Sequence, residues 1–347
     1  MKRRLACATI CVLLGCGAAA QEPSRADSRT IDRLRVYLRT GQYAEATQLI
    51  DQMLAAEPRE DQKNLRAMFG SAPTMRVRHA SADFRCDVTD TGVSLPLTVN
   101  GARVRWLADT GANVTVISDA EAARLRLTIR DSEGRLADLA GGGTGFRTAI
   151  ARQVVIGLTR LEDVLFLVLP AAQMPWKELA AGRQGILGLP VILALDSLRW
   201  ARGGMCHTGS IDDSSRRGPS NLRYDGSQVI TSVAVGGREQ EFVLDTGNQS
   251  GTQLWERFGK DFEPLVNERG RPGSVQVTQV GGATDRAVTV VPDVRLDVGG
   301  RETNLPHAHL FSRPVGDDRF HGLLGMDVLS QATDVTIDFQ LMRLTLH

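Results

Sequence analysis

Three short motifs recur in the same order in the two halves of this 347-residue chain. The stretch Leu97–Gly111 (LTVNGARVRWLADTG) matches Val233–Gly247 (VAVGGREQEFVLDTG). Next, Ala140-Gly141-Gly142-Gly143-Thr144 matches Val280-Gly281-Gly282-Ala283-Thr284, and then Gly185-Ile186-Leu187-Gly188 matches Gly322-Leu323-Leu324-Gly325. The offsets, from Asp109 to Asp245, Ala140 to Val280 and Gly185 to Gly322, are 136, 140 and 137 residues. Three motifs in register mean an internal duplication. Each copy opens with a strand, a two-residue Asn-Gly or Gly-Gly hairpin turn and a second strand that ends on Asp-Thr-Gly. The chain is therefore expected to be all-β, with two homologous lobes related by a pseudo-twofold axis.

The copies occupy 81–208 and 225–347, and a polar stretch over 209–224 reads as the linker between them. Before the first lobe, segment 24–72 reads as a small α-helical hairpin. Ile31, Leu34, Val36, Tyr37 and Leu38 mark one helix; Ala46, Leu49, Ile50, Met53 and Leu54 mark another. The string Leu38 to Ala46, closed by Pro58, resembles one tetratricopeptide unit. A single unit cannot build a solenoid, so it is expected to pack on the main body or to dock a protein partner.

Residues 1–20 read as a targeting segment. Lys2, Arg3 and Arg4 precede an uncharged stretch that ends in Ala18-Ala19-Ala20, the pattern of a secretory signal. Leu13-Leu14-Gly15-Cys16 also resembles a lipoprotein signal, with a lipid anchor at Cys16 as its consequence. Both alternatives predict export to the periplasm, a membrane-anchored form or secretion. Beyond that segment only Cys86 and Cys206 remain; in an oxidising compartment they either pair or stay as two buried thiols.

Lys and Arg total 41 against 40 for Asp and Glu, which leaves no electrostatic footprint for nucleic acid. His307 and His309 sit at strand spacing but read as a surface pair. No serine elbow, no His-Glu-x-x-His pair and no phosphate loop occurs, so neither metal nor cofactor is expected.

On the doubled Asp-Thr-Gly, each copy followed by a glycine-rich loop and an Ile-Leu-Gly or Leu-Leu-Gly element, the region from Ser81 to His347 resembles the retropepsin-like aspartic proteases. Here two units are fused into one pepsin-like bilobal chain. The resemblance implies hydrolysis of a polypeptide by water between Asp109 and Asp245, which share one proton, with no covalent intermediate. It further implies that Thr110 and Thr246 bond across the pseudo-twofold axis, and that Gly141, Gly142 and Gly143 form a flap, with Gly281 and Gly282 as its second-lobe counterpart. The chemistry fits the residues: two adjacent carboxylates cannot both ionise cheaply, so one serves as base and the other as acid. Gly111 and Gly247 permit the close backbone approach that a Cβ would block. With both half-sites in one chain, the protein is expected to act as a monomer.

Three departures stand against this. Asn248 follows the second Asp-Thr-Gly where a small residue is usual, and one extra residue is needed to align Thr252 with Thr115; the flap also lacks a tyrosine. Asn248 either bonds to the aspartates or crowds them. The alternative expectation is a catalytically silent peptide-binding or scaffold protein that keeps the fold.

Overall fold

The computed structural model describes residues 25–137, 143–172, 176–211, 219–279, 282–311 and 319–347. The targeting segment with Cys16, and 212–218 of the expected linker, lie outside the described residues.

Both expected hairpins form. Asn100 and Gly101 have φ of 48° and 86°, and Gly236 and Gly237 have φ of 57° and 77°. Positive φ at both central residues matches the twist of the flanking strands, and sets Val99 opposite Ala102 and Val235 opposite Arg238. In strand Gly92–Val99 the alternation puts Val93, Leu95, Leu97 and Val99 into the core. Strands Ala102–Ala108 and Arg238–Leu244 then run up to the two aspartates.

A later strand returns parallel to each of these. Gly185–Leu187 puts Leu187 beside Ala108, and Gly322–Leu324 puts Leu324 beside Leu244. The same central arrangement therefore appears twice, inside two separate large sheets. The strands that flank the glycine-rich motifs pair with each other, Ala137 with Gly143 and Gln279 with Gly282. Gly141, Gly142 and Gly281 lie outside the described residues.

A third, five-stranded sheet joins the lobes. Ala82–Arg85, Met205–Thr208 and Ser197–Ala201 come from the first half, Asp334–Asp338 and Arg343–Leu346 from the second. The seam pairs Leu198 with Ile337 and Trp200 with Val335. Cys86 and Cys206 form a disulfide within this sheet region, Cα atoms 5.8 Å apart. Of the two alternatives left open by the sequence, pairing is the one realised.

The prefix has three helices rather than a hairpin: α1 (Arg25–Arg39), α2 (Tyr43–Ala56) and α3 (Glu60–Phe69). Pro58 does end α2, because the residue before a proline is driven out of the helical region, and Glu57 is extended. It does not end the helical segment, since α3 starts just after it. Leu34, Leu38, Tyr43, Ile50, Met68 and Phe69 are buried in one apolar cluster with first-lobe residues, and Tyr43 stacks on Phe69. Strand Thr159–Leu169 explains the fit. Val164, Phe166 and Val168 face the lobe's own core, while Leu165, Leu167 and Leu169 face the helices. No described helix is long and apolar enough to cross a membrane.

Candidate active site

Each aspartate is fixed by its own loop and by the strand that returns beside it. The backbone N–H of Asp109 donates to Leu187 O, and that of Asp245 to Leu324 O, both at 3.0 Å. Asp109 Oδ1 accepts from Gly111 N at 2.8 Å and Ala112 N at 3.2 Å, and Asp245 Oδ1 accepts from Gly247 N at 2.9 Å. Both residues are buried, and neither Oδ2 atom finds a hydrogen-bond partner among the described residues.

The two loops face one another closely. A Cβ on Gly111 would lie 2.5 Å from Asp245 Cγ, and one on Gly247 would lie 2.1 Å from Asp109 Cγ. No side chain fits there, so glycine is required on both sides of the pseudo-twofold axis. Thr110 Oγ1 donates to Leu244 O at 2.7 Å and Thr246 Oγ1 to Ala108 O at 2.8 Å. Each threonine hydroxyl also accepts the other's backbone N–H, at 3.1 Å in both directions. Four buried bonds lock the loops into one unit.

Burial is the largest cause raising the Asp109 carboxyl well above the ordinary range; the adjacent Asp245 carboxyl adds to it, against the amides of Gly111 and Ala112. Burial likewise pushes Asp245 up to about 6, opposed by the adjacent Asp109 carboxyl and by the amides of Gly247 and Asn248. Two interacting carboxylates of this kind titrate as a pair and hold one proton between them over a range of pH.

A further matched pair supports the loops. Thr115 Oγ1 accepts Gly188 N at 3.1 Å, and Thr252 Oγ1 accepts Gly325 N at 3.0 Å. This establishes the alignment of Thr252 with Thr115 across the extra residue. Their role was not read from the sequence, although the shared hydroxyl at the aligned position was its signal. Asn248 directs its side chain to its own loop. Its Nδ2 donates to Gly251 O at 2.6 Å and its Oδ1 accepts Ser250 N at 3.1 Å, so the extra residue is absorbed within the loop.

Helix Asp119–Arg124 is capped by Ser118, whose Oγ accepts Glu121 N at 2.9 Å, and the buried Glu121 carboxylate accepts from Arg124 and from Gly182 N. His307 and His309 lie on strand Arg301–Phe311, the first exposed and the second half-buried. Burial pushes the His309 imidazole down, against the charge of Asp327. Among the described residues, no group of three His, Cys, Asp or Glu side chains is placed to hold a metal.

Residues 95–191 match the family model described as aspartyl protease. No curated protein sequence matches the chain. Among solved structures, a retropepsin-like aspartic protease from Rickettsia conorii aligns over 39% of this chain and 92% of its own, with 14% identity and a TM-score of 0.29. An aspartic proteinase from Irpex lacteus aligns over 76% of this chain and 96% of its own, with 11% identity and a TM-score of 0.44. The aspartyl protease match covers the first lobe, and the second lobe repeats that lobe's central strand arrangement around its own Asp-Thr-Gly.

Proposed function

We propose that this protein is an aspartic endopeptidase whose catalytic residues are Asp109 and Asp245. The observation that carries the reading is the matched pair of buried carboxylates. Each presents one oxygen to its own loop's amides and leaves the other without a described partner.

In this mechanism a water molecule sits between the two unpartnered oxygens. The ionised carboxylate removes a proton from the water as its oxygen attacks the peptide carbonyl carbon. The protonated carboxyl gives its proton to the carbonyl oxygen, so a neutral tetrahedral diol forms with no bond to the protein. Collapse of the diol breaks the C–N bond: the proton taken from water passes to the leaving amine, and a diol hydroxyl returns its proton to the pair. The acid and base roles belong to the pair. Thr110, Thr246, Gly111 and Gly247 keep the pair aligned, which limits reorganisation during reaction.

The substrate is a polypeptide bound in extended form through its main chain, as an added strand. With both half-sites in one chain, a monomer suffices. The resemblance of the N-terminal segment to an export signal supports a periplasmic, membrane-anchored or secreted enzyme. The silent binding protein drew its support from Asn248, and that side chain is committed to Gly251 and Ser250.

Hydrolysis in oxygen-18 water tests the mechanism. One solvent oxygen should appear in each new carboxyl terminus, and an added amine nucleophile should trap no acyl group. Amine-trapped product would point to a covalent intermediate and exclude direct attack by water.

A further inference from the structure

The apolar face that flanks the Asp109 loop is filled by the prefix. Ala112 and Val114, just after Asp-Thr-Gly, and Ile186, in the Ile-Leu-Gly element, are buried in the same cluster as Leu34, Leu38, Tyr43 and Phe69. Among the described residues, the second lobe builds the corresponding strands without a counterpart of the prefix. There Gln253 pairs with His309 as Val116 pairs with Leu167, and His307 takes the place of Leu165 two residues earlier. Polar side chains stand where the first lobe has aliphatic ones. The second lobe keeps Val243 and Leu323 at the counterparts of Leu107 and Ile186 and packs them against its own Trp255 and Phe320, so the helices cover the first lobe's more extensive apolar face.

The cover is fastened at two points. At the end of α1, Arg39 Nη1 donates to Gly226 O at 2.8 Å, and its guanidinium lies 4.2 Å from the Tyr224 ring centre; both belong to the edge hairpin that strand Leu222–Asp225 forms in the second lobe's sheet, so that sheet begins inside the expected linker. On α3, Asn64 Oδ1 accepts Arg135 N at 3.1 Å and Ala67 O accepts Ser132 Oγ at 3.2 Å. These contacts fall where strand Ile129–Ala137 breaks register between Asp131 and Arg135. In this state Asp109 and Asp245 are 1% and 0% exposed, and of the six Asp-Thr-Gly residues Gly111 alone keeps partial exposure.

We propose that the helical prefix is a strap that restricts access to the aspartate pair, latched to the second lobe by Arg39 and to the first by α3, and that a polypeptide gains full access when the strap loosens. This rests on the assignment of Asp109 and Asp245 as the catalytic pair. An attacking water and an extended peptide both have to reach carboxylates that are buried in this state. The latch is polar and peripheral while the covered face is apolar and large, so the strap can loosen at its edge without unfolding the lobe.

The test uses the full chain, with Arg39→Ala, Arg39→Lys and Asn64→Ala as variants and near-ultraviolet circular dichroism to establish that each is folded. Amide hydrogen exchange over 110–116 and 132–136 reads the cover directly, and peptide turnover reads its consequence. Loss of a cation–π contact and a charged hydrogen bond should raise the opening equilibrium by about tenfold. Exchange over 110–116 in Arg39→Ala should accelerate by a similar factor, with turnover rising and Arg39→Lys falling between. Asn64→Ala should act first on 132–136. Unchanged exchange in both alanine variants overturns the strap. Faster exchange with slower turnover also overturns it, because the helices would then be a fixed part of the substrate wall. Faster exchange with no turnover in any form, wild type included, upholds the strap and rejects the catalytic pair.

Discussion

Asp327 holds Thr252 by two bonds to the same oxygen: Oδ1 accepts the threonine hydroxyl at 2.7 Å and its backbone N–H at 2.8 Å. Thr252 Oγ1 in turn accepts Gly325 N, which ties the second aspartate loop to the strand beside it. In the first lobe the corresponding place is taken by Pro190, and Thr115 reaches Gly188 without such help. The second loop is one residue longer, so Asp327 anchors the surplus chain. Asp327→Ala should destabilise the protein by about 2–4 kcal/mol, the cost of removing a charged acceptor from two buried donors. Turnover should fall with it, and Asp327→Asn should recover most of both. Denaturant unfolding and peptide turnover of the two variants check this; an alanine variant as stable as wild type would show that Thr252 needs no anchor.

Thr246→Ala removes the donor to Ala108 O and the acceptor for Thr110 N. With buried groups left unpaired at roughly 1–3 kcal/mol each, the variant should unfold at clearly lower denaturant, and turnover should drop by about tenfold or more as the loops lose alignment. Thr246→Ser keeps the hydroxyl and should lie close to wild type in both measurements. A serine variant as impaired as alanine would mean that the methyl group, not the hydroxyl, carries the effect.

The aspartate pair also predicts how stability depends on pH. Both carboxyls are raised in the folded protein, Asp245 to about 6. Between about pH 4 and 6 the native state therefore binds more protons than the unfolded chain, whose carboxyls titrate near 3.9. This contribution is fully present below about pH 4 and is lost as pH rises through the folded values. From Asp245 alone the loss is on the order of 2–3 kcal/mol by pH 7. The double variant Asp109→Asn with Asp245→Asn carries no such groups. Its stability relative to wild type should rise from pH 4 to pH 7, and a flat difference would contradict the raised values.

The Cys86–Cys206 bond closes a loop of 120 residues and lies where the lobes join. Replacing both cysteines by serine should remove about 4–5 kcal/mol by loop entropy, with native strain and residual structure reducing the measured value. Unfolding of the oxidised protein, the reduced protein and the double serine variant measures it. Equal midpoints for oxidised and reduced protein would mean that the joining sheet holds without the bond.

How much of this was legible in the sequence follows the range of each interaction. The hairpin turns at Asn100-Gly101 and Gly236-Gly237 and the twofold Asp-Thr-Gly were legible because each rests on a few adjacent residues. The joining sheet was not, since the pairing of Trp200 with Val335 leaves no local periodicity at either strand. Helix α3 was lost behind Pro58, which reads as a terminus although it falls between two helices. The clue to the prefix's seat was the unbroken apolar run Val164 to Leu169, which marks a strand buried on both faces and therefore covered on the outer one. The anchoring role of Asp327 had no signal until the second loop's extra residue was placed in space.

The most direct measurement is cleavage of a diverse peptide library from pH 3 to 8 by the wild-type protein, Asp109→Asn and Asp245→Asn. The account predicts cleavage by wild type, with a falling acid limb near pH 6 where the base member of the pair takes up its proton. It predicts loss of about a thousandfold or more in both variants, since neither carboxylate can replace the other. Cleavage that survives either substitution would contradict the shared pair at the centre of the account.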